Sequence, residues 1–524
     1  MKHGLIIALL SAAGIAAHGA DKPERKQRQE IEELFAGPIL SLELEISRDG
    51  MESLRKEPRR YVEGVLREGG TAHPGVGIKL KGADGSFRPV DEKPAFTLSF
   101  AKYEGATRFH GLKRLHLNNA REDSTFLRQL VCGEMARAAG VPASRCTHAL
   151  VSLNGRKLGL YVLVEGYTQD FLAQFFVQTE GDLYEGGFCK DIDAELTKDE
   201  GDLKDFRIIE QLIAATREED DAKRWKALQG ALDVDRYASF LAMESLMGVG
   251  DGYDFFRNNY RIYHDPVTKR LAFILHGMDQ PLGDVEFPIE KQPGSMVGQA
   301  FVGCAEGRKL YRQRVVELYK KVFATKNWPA RVGAVAKKLC AAVEPVDGDL
   351  SRHLAGEAAE LRQIVAERVK SIGRQVEELG TPFEFNAKGI AILPAGWHFD
   401  GDNATHDERD VDGRKCLHLH ATGATTASWR KSVELENGSY RFEARLRTRG
   451  VMAEDDDSGK GAGLRISGSS RNGRNAVAGD SGWQSIGYDF ESDGGNVVLV
   501  AELRAAAGEV WFDRGSFRLI RKQQ

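Results

Sequence analysis

The sequence predicts an α+β protein of two parts, a mixed helix-and-strand domain followed by an all-β sandwich of jelly-roll type. Three observations point there. Alternating strands with a single helix among them fill the first third, and helix-period segments dominate the middle. After Gly380-Thr381-Pro382 the chain turns to short strands divided by Gly, Asn and Asp. A length of 524 residues also exceeds what one hydrophobic core organises.

The chain opens Met1-Lys2-His3-Gly4, runs apolar from Leu5 to Ala17, and passes through His18-Gly19-Ala20 into the charged Asp21-Lys22-Pro23-Glu24-Arg25-Lys26. That order predicts an export signal over residues 1–20, followed by a linker over 21–38. The expected location is therefore outside the cytoplasm: periplasmic, cell-surface or secreted. A membrane span needs about 20 apolar residues, and neither this run nor any later one supplies them. The formal charge of −4 excludes the single-sign field that recruits nucleic acid. The six cysteines, Cys132, Cys146, Cys189, Cys304, Cys340 and Cys416, contain no C-x-x-C pair. Their spacing argues against a zinc or redox motif and leaves any disulfide pairing open.

The first domain spans 39–379. Alternation over Leu40 to Ile46, at Val76, Ile78 and Leu80, and at Phe96, Leu98 and Phe100 predicts a mostly antiparallel sheet. A helix is expected from Ser124 to Ala139, capped by Asp123 or Ser124 and stopped by Gly140. His148 to Leu153 and Leu158 to Val164 flank Asn154-Gly155, which supplies the positive φ angles of a tight hairpin. The expected first lobe is strands wrapped around this helix. Helical periodicity then runs from Asp202 to Met247 and from Lys309 to Leu379. A hairpin interrupts it, with Asn259 to Tyr263 and Leu271 to Leu275 as strands and His264 facing Arg270 across the turn.

That hairpin carries the candidate chemistry. Transfer of a phosphoryl group from ATP needs a carboxylate near the acceptor hydroxyl and oxygen ligands for magnesium between the phosphates. Candidates lie in Gly250-Asp251-Gly252-Tyr253, in Asn258-Asn259-Tyr260 and in His276-Gly277-Met278-Asp279-Gln280. If Asn259 faces Leu275, Asp279 lies just beyond the same open end and Asp251, Asn259 and Asp279 converge. Acid, amide, acid is also the order of roles in protein kinases, although the usual glycine loop, H-R-D and D-F-G strings are absent. Each residue has a bland reading as well. Asp251 beside Gly252 would suit a turn, Lys81 and Lys93 would suit solvated strand ends, and Glu165 would suit a connector or a cap of the helix Gln169 to Phe175. His110, His148 and His276 lack metal-ligand spacing and read as structural.

The chain resembles the CotH kinase family. The matching pieces, in order, are Lys79-Leu80-Lys81-Gly82 with Ser86-Phe87; Lys93-Pro94-Ala95-Phe96; Phe109-His110-Gly111-Leu112-Lys113 with Leu117-Asn118-Asn119; Phe126-Leu127-Arg128; Ala139-Gly140-Val141-Pro142; Gly159-Leu160-Tyr161-Val162-Leu163-Val164-Glu165; Asn259-Tyr260-Arg261-Ile262-Tyr263; and Asp279 with Gly283. The resemblance implies a two-lobed atypical kinase-like domain binding ATP with Mg2+ or Mn2+, and phosphorylation of hydroxyl side chains of a protein substrate. It implies Asp251 as the catalytic or metal-side acid, Asn259 and Asp279 as metal ligands, Lys81 and Lys93 as phosphate contacts and Glu134 as an orienting acid; Glu165, at its strand end, is a further candidate for the nucleotide side through the neighbouring backbone. Where many members have Trp and Asp, this chain has His276 and Gly277, one carboxylate fewer. A competing function is a catalytically silent surface scaffold that keeps the shape. Retention of acid, amide and acid in order favours the enzyme, because buried like charges cost stability without a cation.

Residues 383–524 resemble a carbohydrate-binding module. Alternation in Ser439 to Leu446, Val497 to Leu503 and Val510 to Leu519 predicts a sandwich, and the ending Gly508-Glu509-Val510-Trp511-Phe512-Asp513 is similar to the last strands of such modules. Trp511 in an apolar strand reads as core. Trp429 and Trp483 follow loop-like stretches and are the expected sugar-stacking residues. The acidic run Glu454-Asp455-Asp456-Asp457 reads as solvated rather than as a calcium site.

Overall fold

Seven strands close a barrel in the first part of the chain. In the computed structural model, residues 22–83, 85–105, 107–200, 206–379, 384–393, 396–453, 460–471 and 475–522 are described. The expected signal at 1–20, the junction Gly380-Thr381-Pro382 and the acidic run 454–457 lie outside them. The chain divides into two compact units, the second beginning at Gly373, ten residues before the expected start at 383.

The first unit starts with α1 (Lys22–Ala36), β1 (Leu40–Ile46), α2 (Arg48–Lys56), β2 (Val62–Glu68), β3 (Thr71–Lys81), β4 (Ala95–Ser99), β5 (Arg114–Asn118), α3 (Arg128–Ala139), β6 (Cys146–Leu153) and β7 (Arg156–Glu165). The expected linker is a correction, because residues 22–36 are helical. Ile31 and Leu34, three apart in an otherwise charged segment, make a narrow apolar stripe that is buried with the barrel core.

The barrel order is β1-β2-β3-β4-β5-β7-β6. β1 and β6 close it by pairing in parallel, from Leu40 opposite Ala149 to Leu44 opposite Leu153. Leu42, Leu44 and Ile46 alternate inward from β1 and meet Leu66, Ile78, Phe96, Leu98, Leu117 and Leu163. Helix α3 does not fill this core, contrary to expectation; strand side chains already do, and α3 packs outside, against β6 and α7. It also starts at Arg128 rather than Ser124. Phe126 has φ +58°, outside the right-handed helical region, while Asp123 holds the preceding turn through the Thr125 and Arg128 amides. The Asn154-Gly155 turn behaves as expected, with φ of +49° and +76°.

The rest of the unit comprises α4 (Gln169–Leu172), β8 (Leu183–Glu185), β9 (Thr197–Glu200), α5 (Arg207–Thr216), α6 (Asp221–Ala231), α7 (Val234–Met247), α8 (Tyr253–Phe256), β10 (Tyr260–Asp265), β11 (Arg270–Leu275), α9 (Met296–Gly303), α10 (Ala305–Leu318), α11 (Trp328–Val343) and α12 (Gly348–Glu378). β11-β10-β8-β9 form a second sheet. The expected hairpin register is off by one: Asp265 faces Arg270, and Tyr260 faces Leu275. The strands run to Asp265 and Arg270, so the loop holds only residues 266–269 and is closed by Lys269 at φ +58°. The shift places Asn259 next to the open end beside His276.

Helix α7 is buried almost throughout, capped by the Asp233 carboxylate at Arg236 N and stopped by left-handed Gly248. Arg368 of α12 is fully buried and donates to the carbonyls of Ser245, Leu246, Val285 and Phe287, tying the end of α7 to the loop after β11. Among the described residues no helix is long and apolar enough to cross a membrane.

The second unit is all-β: β12 (Ile390–Ile392), β13 (His398–Asp400), β14 (Ala404–Val411), β15 (Arg414–Ala421), β16 (Thr425–Met452), β17 (Gly461–Ile466), β18 (Gly479–Ala505), β19 (Ala507–Asp513) and β20 (Arg518–Arg521). The long β16 and β18 pair along most of their length, and β16 also takes β13, β19 and β20. All alternate their apolar residues into one core containing Leu417, Leu419, Phe442, Leu464, Leu503 and Phe512. Trp429 belongs to that core at 6% exposure and donates to the His418 carbonyl, which corrects its expected place at the surface. Trp511 is buried, as expected, and Trp483 is half-buried.

Candidate functional site

A cleft of about 760 Å³ opens where the ends of β3, β4 and β5 meet the second sheet and the loops after α7 and β11. Lys81, Asp251, Asn259 and Asp279 all line it. The chain thus brings together four of its seven candidate residues from segments up to about 200 positions apart.

Asp251 sits in the turn between α7 and α8. Asn258 Nδ2 lies 3.2 and 3.1 Å from its two carboxylate oxygens, and Asn259 Nδ2 donates to Oδ2 at 2.7 Å and to the main-chain oxygen at 3.1 Å. Asn259 has φ +52°, a left-handed backbone that asparagine tolerates better than most residues. Gly277, at φ +59°, follows the end of β11, and a Cβ there would run into Asn259 Oδ1. The asparagine amide occupies the space a side chain at 277 would need.

Across the cleft, Lys81 ends β3. Its ammonium donates to Asn118 Oδ1 at 2.7 Å, and Asn118 Nδ2 donates to Gln129 Oε1 at 2.7 Å, so the lysine is aimed by a relay rooted in α3. Burial pulls its pKa down to about 8, against the partial support of Asp279. The Asp279 carboxyl is pushed up by burial and by Asp251, while Lys81 pulls it down. Glu122, on the loop after β5, also lines the cleft; burial and then Asp279 and Asp251 push it up. Deeper, Arg261 donates to Glu185 at 2.7 Å and lies 4.0 Å above the Tyr167 ring. His116 and His276 are held neutral, well below the usual histidine range, by burial and by Arg261 and Lys81.

The remaining candidates are placed elsewhere. The Lys93 ammonium sits 5.1 and 5.2 Å from the Phe126 and Tyr161 rings, and burial brings it to about 8. Glu134 makes a two-pronged ion pair with Arg331 of α11 at 2.8 and 2.6 Å. Glu165 is fully buried and paired with Arg145, and it also accepts from Gln174. The three make these structural contacts outside the lining of the cleft. His110 and His148 are structural too, bonded to Glu68 and to the Phe126 carbonyl. Glu122 went unnoticed in the sequence, and Asn258 was named only as part of the candidate stretch, without a role of its own. Asn258 carried a signal, the doubled Asn-Asn beside a strand, whereas Glu122 sits in Arg121-Glu122-Asp123 with none.

The donor set suits a hard divalent cation. Asp251 and Asp279 offer carboxylates, and the electrostatic cost of holding them near Glu122 is what a cation would relieve. Among the described residues no compact group of three His, Cys, Asp or Glu stands in metal-holding geometry, so two protein carboxylates would leave the other positions to phosphate and water oxygens.

A family model described as CotH kinase protein matches residues 78–372. No curated protein matches the chain. Among solved structures, TmCBM61 in complex with β-1,4-galactotriose is 17% identical, with 24% of this chain and 88% of that one covered at a TM-score of 0.18. A carbohydrate-binding module of Cellvibrio mixtus lichenase 5A in complex with cellotriose is 14% identical, covering 24% and 91% at a TM-score of 0.17. A family 35 carbohydrate-binding module from Clostridium thermocellum is 14% identical, covering 24% and 92% at 0.16.

Proposed function

Because the chain belongs to the CotH kinase protein family, we propose that it is an exported, two-lobed atypical kinase that moves the γ-phosphate of ATP to hydroxyl side chains of an extracytoplasmic protein. One observation carries the reading: Asp251, Asn259 and Asp279 face Lys81 in a single cleft of nucleotide-sized volume. In this reading Asp279 and the side-chain oxygen of Asn259 would hold Mg2+ or Mn2+, which when bound would neutralise phosphate charge. Lys81, aimed by Asn118, contacts phosphate oxygens as a point charge. Asp251, fixed by both asparagines, accepts the proton of the incoming hydroxyl at its carboxylate. Lys79 on barrel strand β3 and Arg261 on β10 of the second sheet add positive charge to the cleft.

The experiment is binding of ATP by the purified protein with and without Mg2+ or Mn2+, followed by transfer of labelled γ-phosphate to a panel of protein acceptors. Cation-dependent binding with transfer supports the enzyme. No binding under either condition leaves the silent scaffold as the function. The second unit is proposed as a glycan-docking module, with half-buried Trp483 as its stacking residue; the indole N–H donates to Asp412 and one face meets Arg414.

A further inference from the structure

Behind the cleft, a buried carboxylate outside the site holds the loop that presents Asp251. Glu244 lies on α7 and is fully buried, with Oε1 2.9 Å from the Tyr253 amide and Oε2 3.0 Å from the Asp254 amide. Both amides belong to the first turn of α8, two and three positions past Asp251. The loop has no slack against this clamp. A Cβ at Gly252 would land on Glu244 Oε1, so only glycine allows the close approach.

The same turn is pinned from two further directions. Tyr253 donates its hydroxyl to Asp191 at 2.7 Å, and the second Asp191 oxygen accepts from Met296 N at 2.8 Å. Asp254 Oδ1 accepts from the Tyr237 and Ser295 hydroxyls, both at 2.6 Å, while its Oδ2 is buried without a partner. Three buried acids around one four-residue turn are a costly way to gain stability, since apolar packing serves a fold at least as well. What they supply is a fixed backbone.

We propose that Glu244 is a positioning residue that sets Asp251 through the Tyr253 and Asp254 amides. The proposal rests on the phosphotransferase reading of the cleft. Glu244 does not line the cleft, so its removal is expected to lower turnover and leave nucleotide binding in place.

The test uses the full chain with Glu244→Gln, which keeps the shape but turns an amide NH2 toward one of the two N–H groups, and Gly252→Ala, which pushes on the same clamp from the loop side. Hydrogen exchange of the Tyr253 and Asp254 amides is read first, because it reports the clamp whether or not the chain is an enzyme. An acceleration of about 10- to 100-fold in both variants is expected. Transfer of labelled phosphate should show kcat down about 100-fold, with KM and Kd for Mg·ATP within about twofold of the parent, both variants being assayed where melts show them fully folded, since each loses stability at the clamp. Unchanged exchange, or kcat falling in step with nucleotide affinity, overturns the positioning role. A parent protein that binds no nucleotide and transfers no phosphate overturns the kinase reading instead, and the exchange result then separates the two failures.

Discussion

Asn259 donates its side-chain amide to Asp251 at 2.7 Å, and the same amide reaches the Asp251 main chain. An alanine at 259 would lose both bonds and inherit a φ of +52°. Asn259→Ala is expected to reduce phosphate transfer at least tenfold, with a destabilisation of about 1–3 kcal/mol. Steady-state kinetics beside thermal melts check it; full activity at normal stability would take Asn259 out of the site.

Asp279→Asn keeps the side-chain shape and removes one of two candidate cation carboxylates. Affinity for Mn2+, read by its electron paramagnetic resonance signal without nucleotide, should fall about tenfold or more, and transfer should be largely lost. Equal Mn2+ binding by mutant and parent would remove Asp279 from the metal site.

Lys81 sets a pH dependence. Its pKa, drawn down to about 8 by burial, makes the ammonium present below that value and lost as pH rises through it. ATP affinity should therefore be full below about pH 8 and decline above, and Lys81→Arg should flatten the decline because guanidinium stays charged. For folding the sign is opposite. Between about 8 and the ordinary lysine value of 10.5 the unfolded chain binds the extra proton, so this group's contribution to stability rises with pH. Titration of ATP binding from pH 6.5 to 9.5, in about half-unit steps, reads the first effect; a profile unmoved by Lys81→Arg would clear Lys81 of phosphate contact.

Glu165 is buried against Arg145 at 2.5 Å and does not line the cleft. Glu165→Ala leaves a guanidinium partly buried without its anion, at a cost of about 3–5 kcal/mol. Denaturant melts should show that loss, while the folded fraction binds Mg·ATP as tightly as the parent. A selective loss of nucleotide affinity would return Glu165 to the nucleotide side.

The two tryptophans of the second unit separate core from surface. Trp429→Ala should destabilise by about 3–5 kcal/mol, since it empties a core position. Trp483→Ala should leave stability within about 0.5 kcal/mol and abolish any retention on polysaccharide. Retention equal to the parent's would exclude Trp483 as a stacking residue.

Local signals in the sequence carried over well. The β1 alternation, the Asn154-Gly155 turn and the Gly140 stop each depend on a few adjacent residues, and the structure has all three. Signals that depend on distant partners did not. Nothing in Leu40 to Ile46 specifies a parallel neighbour about a hundred residues later, and a charged segment with two well-spaced apolar residues reads as a linker until a barrel is there to bury them. In the site, Asp251, Asn259 and Asp279 were legible because one hairpin holds them close in sequence. Lys93, Glu134 and Glu165 lie outside the cleft lining because their partners, the Phe126 and Tyr161 rings, Arg331 and Arg145, are chosen by packing, which no local pattern reports. Glu244 left a faint trace as the lone acid in Leu241-Ala242-Met243-Glu244-Ser245-Leu246-Met247, which would have marked it as a buried charge with a task.

The parallel seam between β1 and β6 also fixes an order of events in synthesis. β1 emerges early from the ribosome, but its second neighbour ends at Leu153. Until then the growing sheet has a bare β1 edge, a template for pairing with other chains. At about 5–20 residues per second the wait lasts roughly 5–20 s. Closure of the seam by β6 removes that edge permanently.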